Sequence, residues 1–428
     1  MAIKPTSVTI FTYQVGFGDC FLLRFGYPDR NRHVLIDFGT TGLPEDVASD
    51  QLLTIAKDIT GKCGGRLDAV VATHRHADHI SGFATKADGK GSGDLIRLLK
   101  PRVVLQPWTE QLDLAVDAKA PKGVGLRSLQ ATQKTLKHMH AISQEVLTQL
   151  DRKPGAFSAR IAGQLRFIGE DNLPNRSAVK NLAAMSAKRV YAYHGCPSGL
   201  TAILPGVKTH VLGPPTLKQT EAISKQRTSD SQEFWQLRLR RIADDADIAT
   251  EMAPLFPGRI RANGGKLPMS VRWLANRMKE VRGEQILQIV RSLDKQMNNT
   301  SLILLFEAGG RKFLFPGDAQ IENWRYALSK QKVLDLLADV DLYKVGHHGS
   351  RNATPRSLWA KFDKKGPKSK SERLTTIMST MPGKHGNAAA HTEVPRASLL
   401  KELTAQSDLH STHTLPAGQI CDEVVINL

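Results

Sequence analysis

Cysteine is scarce in this chain, and the few cysteines present form no motif. The four residues Cys20, Cys63, Cys196 and Cys421 are scattered along 428 positions, and no two stand in C-x-x-C spacing. A disulfide framework or a cysteine-bound zinc site needs regularly spaced cysteines. We therefore expect neither, and unpaired thiols are typical of a reducing cytoplasm.

Long hydrophobic runs are also missing. The longest runs, such as SLILLF at 301–306, have the length of a strand, whereas a transmembrane helix needs about 20 apolar residues. The N-terminal segment MAIKPTSVTIFTYQVGFGDC has neither a continuous apolar region nor the small-residue cleavage site of a secretory signal. The sequence thus predicts a cytoplasmic protein without a membrane partner.

Acidic residues are too few to balance the basic ones. The chain has 59 Lys and Arg against 41 Asp and Glu, a formal net charge of +18 and a pI near 9.8. A surface this basic attracts polyanions. Nucleic acid is the partner that this balance favours, and a role of the charge in solubility alone is the alternative.

The chain contains strand-like and helical segments in an order typical of a layered α/β domain. Strand-like segments begin near Val8, and helices and strands then alternate up to Trp108. A Gly-Gly turn between two apolar runs predicts a β-hairpin at 301–318. Charged helical stretches at about 109–152 and 217–297 indicate insertions in a single domain, 1–428. These insertions are candidate surfaces for a homodimer or for an activating protein partner.

The stretch VVATHRHADHISG at 70–82 carries the strongest chemical signal. An apolar strand ends at residue 72, and His74, His76, Asp78 and His79 follow directly. In an extended turn the first two imidazoles point the same way and can share one ion, while the other two residues turn toward a second position. Imidazole and carboxylate groups are ligands for zinc, manganese or iron. One such histidine would be structural, but four groups in this spacing predict a metal site.

This stretch resembles the HxHxDH motif of the metallo-β-lactamase fold. HVLIDFG ends in Asp37, which is similar to the aspartate that orients the metal loop in that family. FLFPGDA resembles its fourth motif, with Asp318 as the bridging carboxylate, and VGHHGS resembles its fifth, with His347 and His348. The resemblance implies an αββα sandwich, two mixed β-sheets between helical layers, and two divalent ions, Zn²⁺ or Mn²⁺.

One subfamily resembles the chain most, the soluble domain of ComEC-type competence proteins. YQVGFGDCFLL is similar to its DVGQGD opening. We expect Gly16, Gly18 and Asp19 to form a tight loop beside the site, and a simple hairpin turn is the alternative to substrate contact for the glycines. YKVGHHGS and NNTSLILLF are similar to its LKVxHHGS and NxxSLVL segments. AAHTEVPRASLLKEL resembles its later GHPxxxVLxxL segment, which would bring His391 to the site.

The chain departs from the family at the third motif, where VLGPPT at 211–216 replaces a PGHT-like turn and contains no histidine. The resemblance then leaves the first ion with His74, His76, Asp318 and water. His194 or His210 could complete that set, and a core or surface role is the alternative for both.

The two adjacent histidines of VGHHGS need separate roles. Neighbouring residues at a strand end point in opposite directions, so one should bind the second ion and the other should face the substrate. We favour His348 as the ligand. The partner histidine would then contact a phosphate oxygen or protonate a leaving group.

Charge and resemblance together predict a metal-dependent phosphodiester hydrolase, a nuclease acting on DNA. In this hypothesis two ions share Asp318 and a bridging water that becomes hydroxide. Asp78 orients it, and His391 or His347 stabilises the developing charge. Candidate nucleic-acid contacts, for each of which a solvated basic face is the alternative, are Lys361, Lys364, Lys365, Lys368, Lys370, Arg238, Arg240 and Arg241.

Other functions stay open at this point. A hydrolase of this fold could act on a small molecule such as a lactone, a thioester, a cyclic nucleotide or another phosphodiester, since one fold hosts many chemistries. A β-lactamase proper is disfavoured by the lack of a secretion signal. A nucleic-acid-binding or scaffold protein with a vestigial site is disfavoured by the near-complete ligand set.

Overall fold

The computed structural model describes residues 3–111, 120–121, 176–220, 298, 300–352, 354–386, 388 and 392–428. The segments predicted as helical insertions, and the boundaries predicted for them, lie almost entirely outside these residues. Among the described residues, no helix is both long enough and apolar enough to cross a membrane. All four cysteines are free thiols, as their spacing predicts.

A seven-stranded mixed sheet forms one half of the sandwich. Its strands are β1 (Ser7–Tyr13), β2 (Cys20–Gly26), β3 (Arg32–Phe38), β4 (Ala69–Val71), β5 (Val103–Pro107), β6 (Arg189–Ala192) and β13 (Cys421–Asn427). They lie in the order β13-β1-β2-β3-β4-β5-β6. The pairs from β13 to β3 are antiparallel, and the pairs from β3 to β6 are parallel.

A six-stranded mixed sheet forms the other half. Its strands are β7 (Val207–Gly213), β8 (Ile303–Ala308), β9 (Arg311–Phe315), β10 (Leu342–Lys344), β11 (Thr375–Met378) and β12 (Asp408–Ser411). They lie in the order β12-β11-β10-β9-β8-β7. Strands β8 and β9 form the hairpin that the Gly-Gly turn predicts, and β9 to β12 are parallel.

Helices cover the outer face of each sheet. They are α1 (Gln51–Lys62), α2 (Ala77–Ile80), α3 (Ser92–Leu98), α4 (Arg176–Ala184), α5 (Ile321–Leu328), α6 (Gln331–Ala338), α7 (Arg356–Trp359) and α8 (Ala397–Gln406). Apolar residues of α1, α3 and α4 pack on the first sheet, and those of α5 to α8 pack on the second. A third apolar cluster fills the space between the sheets. The predicted αββα sandwich is therefore confirmed.

The core between the sheets follows from side-chain alternation in the strands. Phe21 and Phe25 of β2 point inward and meet Phe315 and Phe306 of the opposite sheet, with ring centroids 5.9 and 6.1 Å apart. Alternating residues line one face of a strand, so each sheet buries one apolar face against the other. This packing holds the carboxyl ends of the parallel strands of both sheets at one edge, where sites form in α/β folds.

Candidate metal centre

The loop after β4 brings two imidazoles together. His74 and His76 follow a strand whose last residue is Val71, and they are 1 % and 2 % exposed. Nε2 of His74 lies 3.0 Å from Nδ1 of His76. The two ring nitrogens therefore face one point, as the extended-turn argument predicts. With Asp78 they form a group whose ligand atoms lie within 4.8 Å of one another.

A second group combines residues from both sheets. Asp78 and His79 lie on α2, Asp318 follows β9, and His348 follows β10. Nε2 of His79 is 3.2 Å from Oδ2 of Asp318 and 3.6 Å from Oδ2 of Asp78. The ligand atoms of all four residues lie within 4.8 Å of one another. Asp78 is common to both groups and so connects them.

Asp37 holds the loop after β4 in place through hydrogen bonds to Thr73 and His79. Its Oδ1 accepts a hydrogen bond from the backbone N–H of Thr73 at 2.7 Å, and its Oδ2 accepts one from the Thr73 hydroxyl at 2.7 Å. Nδ1 of His79 donates to the same Oδ2 at 2.8 Å. Because this hydrogen bond occupies Nδ1, Nε2 is the ring nitrogen left to bind an ion, and it faces the second group. An outer carboxylate that fixes a ligand tautomer in this way is typical of metal sites.

His348 is oriented by a carbonyl instead of a carboxylate. Its Nδ1 donates to the backbone oxygen of Ser379 at 3.0 Å, and its Nε2 lies 2.8 Å from Oδ2 of Asp78. The ring is fully buried and packs against Phe17, with centroids 4.3 Å apart. Both contacts direct Nε2 into the second group.

Backbone strain is concentrated at this centre. Among the described residues, five non-glycine residues have positive φ, and three of them are Asp37 at 54°, His347 at 44° and His348 at 53°. Left-handed backbone costs such residues about 1–3 kcal/mol each and tends to occur at functional sites. The surrounding packing therefore holds these three side chains in positions that a relaxed backbone would not give them.

The loop that contains Gly18 and Asp19 lies beside the ligand groups, and close packing requires a glycine at position 18. A Cβ on Gly18 would lie 2.1 Å from the backbone oxygen of Gly39 and 2.8 Å from that of Asp78. This close approach lets the backbone N–H of Asp19 donate to the backbone carbonyl oxygen of Asp78 at 2.9 Å. The Asp19 carboxylate is buried, with Oδ1 3.5 Å from Nδ1 of His348.

The buried carboxylates alter the protonation of the imidazoles. Burial disfavours a charged His79, but Asp318 and then Asp78 outweigh burial and raise the His79 pKa well above its ordinary value. The His348 pKa is also raised against the effect of burial, chiefly by its contact with Asp78. The His74 pKa is lowered well below its ordinary value, by burial first. Without an ion, protons on His79 and His348 thus offset the carboxylates.

The donor atoms of the centre fit a divalent metal ion. In the second group, Asp78 Oδ1, His79 Nε2 and Asp318 Oδ2 are buried, and none has a hydrogen-bond partner among the described residues. Buried polar atoms without a partner are costly. Mixed imidazole and carboxylate donors are the set that zinc and manganese accept, and a bound cation would satisfy all three atoms.

The structure distinguishes the two adjacent histidines by burial and by backbone. His348 is buried in the second group, whereas the His347 side chain is 27 % exposed, with Nε2 3.9 Å from Asp318 Oδ2. The expectation that the two side chains point in opposite directions at a strand end was wrong, because neither histidine lies on the strand. Strand β10 ends at Lys344, and residues 347–349 form a short left-handed turn. The backbone N–H of His347 donates to Asp318 at 2.9 Å.

The remaining predicted ligands are distributed unevenly. Asp78 belongs to both groups, whereas Asp318, expected to be shared by the two ions, groups among the described residues with Asp78, His79 and His348 and not with His74 and His76. Neither candidate replacement for the third-motif histidine joins a group of the described residues. Nδ1 of His194 donates to the backbone oxygen of Leu212 at 2.7 Å, and His210 lies 3.1 Å from Glu307. His391 lies outside the described residues, as do Arg238, Arg240 and Arg241.

The predicted lysine contacts lie at the far end of the second sheet. Lys364 pairs at 2.6 Å with Asp341, which directly precedes β10, so this segment is next to the amino ends of β10 and β11. Nζ of Lys365 donates to the Trp359 carbonyl, and Nζ of Lys370 donates to the Asp363 carbonyl. Lys361 and Lys368 are exposed. The segment therefore does not line the metal centre.

Sequence reasoning missed several residues at the centre. Lys344, quoted only as part of a motif, is buried beside Asp19 and Asp318. Arg75, between the first two ligand histidines, pairs at 2.8 Å with buried Glu110 after β5. The signal for Lys344 was a charged residue in an otherwise apolar strand, which requires a buried partner.

A comparison with protein families agrees with this architecture. Residues 13–86, which include β2 to β4 and the HxHxDH loop, match the family model of the metallo-beta-lactamase superfamily. No curated protein matches the chain. The matched segment, the αββα sandwich and the buried His/Asp groups at the strand ends agree with one another, and this part of the chain is similar to the metallo-beta-lactamase superfamily.

Proposed function

We propose that this protein is a nuclease, a metal-dependent phosphodiester hydrolase that acts on DNA. The observation that carries the proposal is the pair of buried ligand groups joined by Asp78. His74 and His76 would hold one divalent ion, and His79, Asp318 and His348 would hold the other. Two neighbouring divalent ions are suited to hydrolysis of phosphodiesters.

The chain's own residues would supply orientation and charge. Bound Zn²⁺ or Mn²⁺ would lower the pKa of water toward neutrality and stabilise negative charge on phosphoryl oxygens. Asp78 would accept a hydrogen bond from the attacking water and orient it. His347 would donate to a phosphoryl oxygen or to the leaving oxygen, because its ring is partly exposed beside Asp318. His391 remains proposed for the same task.

A polyanionic substrate is supported by charge at the site and beyond it. Arg351 is exposed directly after the HHGS turn, and Lys384 is exposed in the turn after β11, where its Nζ packs against Gly42. Both are at the edge that carries the ligands. The lysine segment 361–370 lies at the other end of β10 and β11, so only a substrate that extends along the molecule would reach both. The net charge of +18 favours such a substrate.

The first experiment is a cleavage assay at low salt. Single-stranded DNA, duplex DNA and RNA are each incubated with the protein and with Mn²⁺, Mg²⁺ or Zn²⁺ added singly. We expect DNA cleavage with Mn²⁺ or Zn²⁺, and a steep loss of cleavage as salt rises, because phosphate contacts weaken with salt. The matched control is the variant Asp78→Ala/His79→Ala, which should bind DNA without cutting it. Equal cleavage by this variant would reveal a contaminating nuclease and sink the proposal.

A small phosphodiester is the second candidate substrate. It is favoured by the internal contacts of Lys364, Lys365 and Lys370, which leave fewer cations for a polymer. Hydrolysis of bis(p-nitrophenyl) phosphate that is insensitive to salt and is not inhibited by DNA would favour this candidate. DNA binding that survives His76→Ala/Asp78→Ala, with no hydrolysis of any phosphodiester by the unsubstituted protein, would instead indicate a binding module.

The finer assignments belong to the same proposal. We propose that the enzyme acts in the cytoplasm, in agreement with four free thiols, and that it is functionally related to ComEC-type domains. Segments 109–152 and 217–297 remain proposed as insertions of a single domain, with a role in dimerisation or activation.

A further inference from the structure

A lysine is buried beneath the metal centre. Lys344, the last residue of β10, is 1 % exposed. Its Nζ pairs with Oδ2 of Asp19, lies 3.6 Å from Oδ1 of Asp318, and donates to the backbone oxygen of Gly317 at 3.3 Å. A lysine is almost never fully buried unless an anion pairs with it. Its ammonium group is therefore a fixed part of the centre's charge.

Asp19 belongs to a third set of ligand atoms. Asp19, Asp37 and His79 offer atoms within 4.8 Å of one another, and all three residues are buried. Protein groups already contact two members of this set. His79 donates to Asp37 at 2.8 Å, and the ammonium group of Lys344 contacts Asp19. A protein cation thus stands where a third metal ion could otherwise bind.

The charges of the buried groups are consistent with two ions. Asp19, Asp37, Asp78 and Asp318 contribute four negative charges, and Lys344 contributes one positive charge. Three negative charges remain, which is the number that two divalent ions and one hydroxide would neutralise. A charge imbalance in a buried site is costly, so the state of Lys344 should affect how tightly the centre binds metal.

We propose that Lys344 is a positioning residue that acts as the fixed cation of the metal centre, neutralising Asp19 and thereby setting the affinity of the two ligand groups for divalent ions. The inference rests on the proposed metal-dependent function but not on the substrate. It makes a directional claim. The ammonium group repels the ions, so its removal should tighten metal binding. A merely structural role predicts the reverse, because a disordered centre binds metal less well.

The test compares the metal affinity of three variants with that of the unsubstituted protein. Lys344→Met removes the cation, Asp19→Asn removes its partner, and Asp19→Asn/Lys344→Met removes both charges. Zn²⁺ and Mn²⁺ are titrated separately in competition with a chromophoric chelator, and circular dichroism reports folding. Lys62→Met is the matched control, because Lys62 pairs at 2.6 Å with Asp58 on α1, outside all three ligand sets.

The expected order of affinity follows from charge alone. Lys344→Met should bind metal at least about tenfold more tightly, and Asp19→Asn at least about tenfold more weakly, since a buried unit charge acts strongly on a nearby divalent ion. The double variant should return to within about threefold of the unsubstituted protein, because the net charge of the site is restored. Lys62→Met should not change the affinity.

Each outcome supports or overturns the proposal. A folded Lys344→Met variant with equal or weaker affinity would overturn it. If Lys344→Met does not fold, the comparison of Asp19→Asn with the double variant decides, and failure of the second substitution to restore affinity overturns the proposal. A protein that binds metal in the expected order but cleaves no nucleic acid would support this inference and contradict the proposed substrate.

Discussion

Nε2 of His348 lies 2.8 Å from Oδ2 of Asp78, and the two residues are 270 positions apart in the chain. One follows a strand of the second sheet, and the other lies on the short helix after β4 of the first sheet. The contact joins the two halves of the sandwich at the ligand groups. The metal centre is therefore a feature of the packed sheets and exists only when both have folded against each other.

Substitution of the two adjacent histidines should separate metal binding from catalysis. We expect His348→Ala to lose one bound ion, or to bind it more than about 100-fold more weakly, because a ligand matters more than its outer partners. His347→Ala should keep the full metal content and lose activity. Elemental analysis of dialysed protein measures the first effect, and a cleavage assay measures the second.

The variant Ser350→Ala is a folding control for both, since Ser350 follows the same turn and its hydroxyl donates to Asn352 at 2.8 Å. If His347→Ala lost the ion and His348→Ala kept it, the ligand assignment would be reversed.

Asp37→Asn should weaken metal binding without unfolding the protein. Asn is close in size and tolerates the left-handed backbone at this position, but it replaces a carboxylate that accepts three hydrogen bonds. Loss of such an outer partner typically costs about 10–100-fold in metal affinity. Competition with a chelator measures the change. Thr73→Val removes one of the three hydrogen bonds and should have a smaller effect, and a larger effect would contradict the central role of Asp37.

Removal of metal should destabilise the protein, because an ion that binds the folded chain and not the unfolded one adds its binding free energy to stability. At a free ion concentration of 100 times Kd, one ion contributes about 2.7 kcal/mol to the free energy of unfolding. Thermal melts with Zn²⁺ and with excess chelator should therefore differ. The melting temperature of Asp78→Ala/His79→Ala should respond much less to Zn²⁺, and an equal response would indicate that the ion binds elsewhere.

His33 lies on β3, remote from the ligand groups. It should make the free energy of unfolding depend on pH. Burial first of all lowers its pKa to about 4, and its Nε2 has no hydrogen-bond partner among the described residues. The unfolded chain protonates this residue near pH 6.5, whereas the folded protein resists protonation. The stability that neutral His33 contributes to the folded protein is therefore fully present above pH 6.5 and is lost as the pH falls to about 4.

The loss should reach about 3 kcal/mol, the equivalent of the pKa difference. Urea denaturation at pH 7 and pH 4 measures it, and His33→Leu should remove this part of the pH dependence. An identical pH dependence in His33→Leu would show that the buried imidazole does not cause it.

Much of the fold and half of the centre could be predicted from local patterns. The HxHxDH stretch contains four ligand candidates within six positions, so strand-end geometry alone brings them together. The β8–β9 hairpin followed from its Gly-Gly turn, and the sandwich followed from the motifs that resemble the metallo-β-lactamase fold. In each case the signal and the structure that it forms are close in sequence.

The residues that could not be assigned depend on contacts between distant segments. Extended geometry could not separate His347 from His348, because a left-handed turn and the carbonyl of Ser379, just after β11, decide which ring is buried. The lysine segment follows the HHGS motif in sequence, yet α7 and the loop after it return the chain to the opposite end of the sheet. Proximity in sequence to the HHGS motif was misleading, because that motif follows the carboxyl end of β10 whereas the lysines lie near its amino end.

The sequence by itself determined the ligand types, the basic character of the chain and the alternation that builds two sheets. Only the tertiary structure decided that Asp78 connects two ligand groups, that Asp19 pairs with Lys344, and that Lys364 is far from the ligands. The physical reason is that apolar packing between the sheets aligns the ends of strands that are distant in the chain. A buried charge then acquires its role from whichever partner that alignment places beside it.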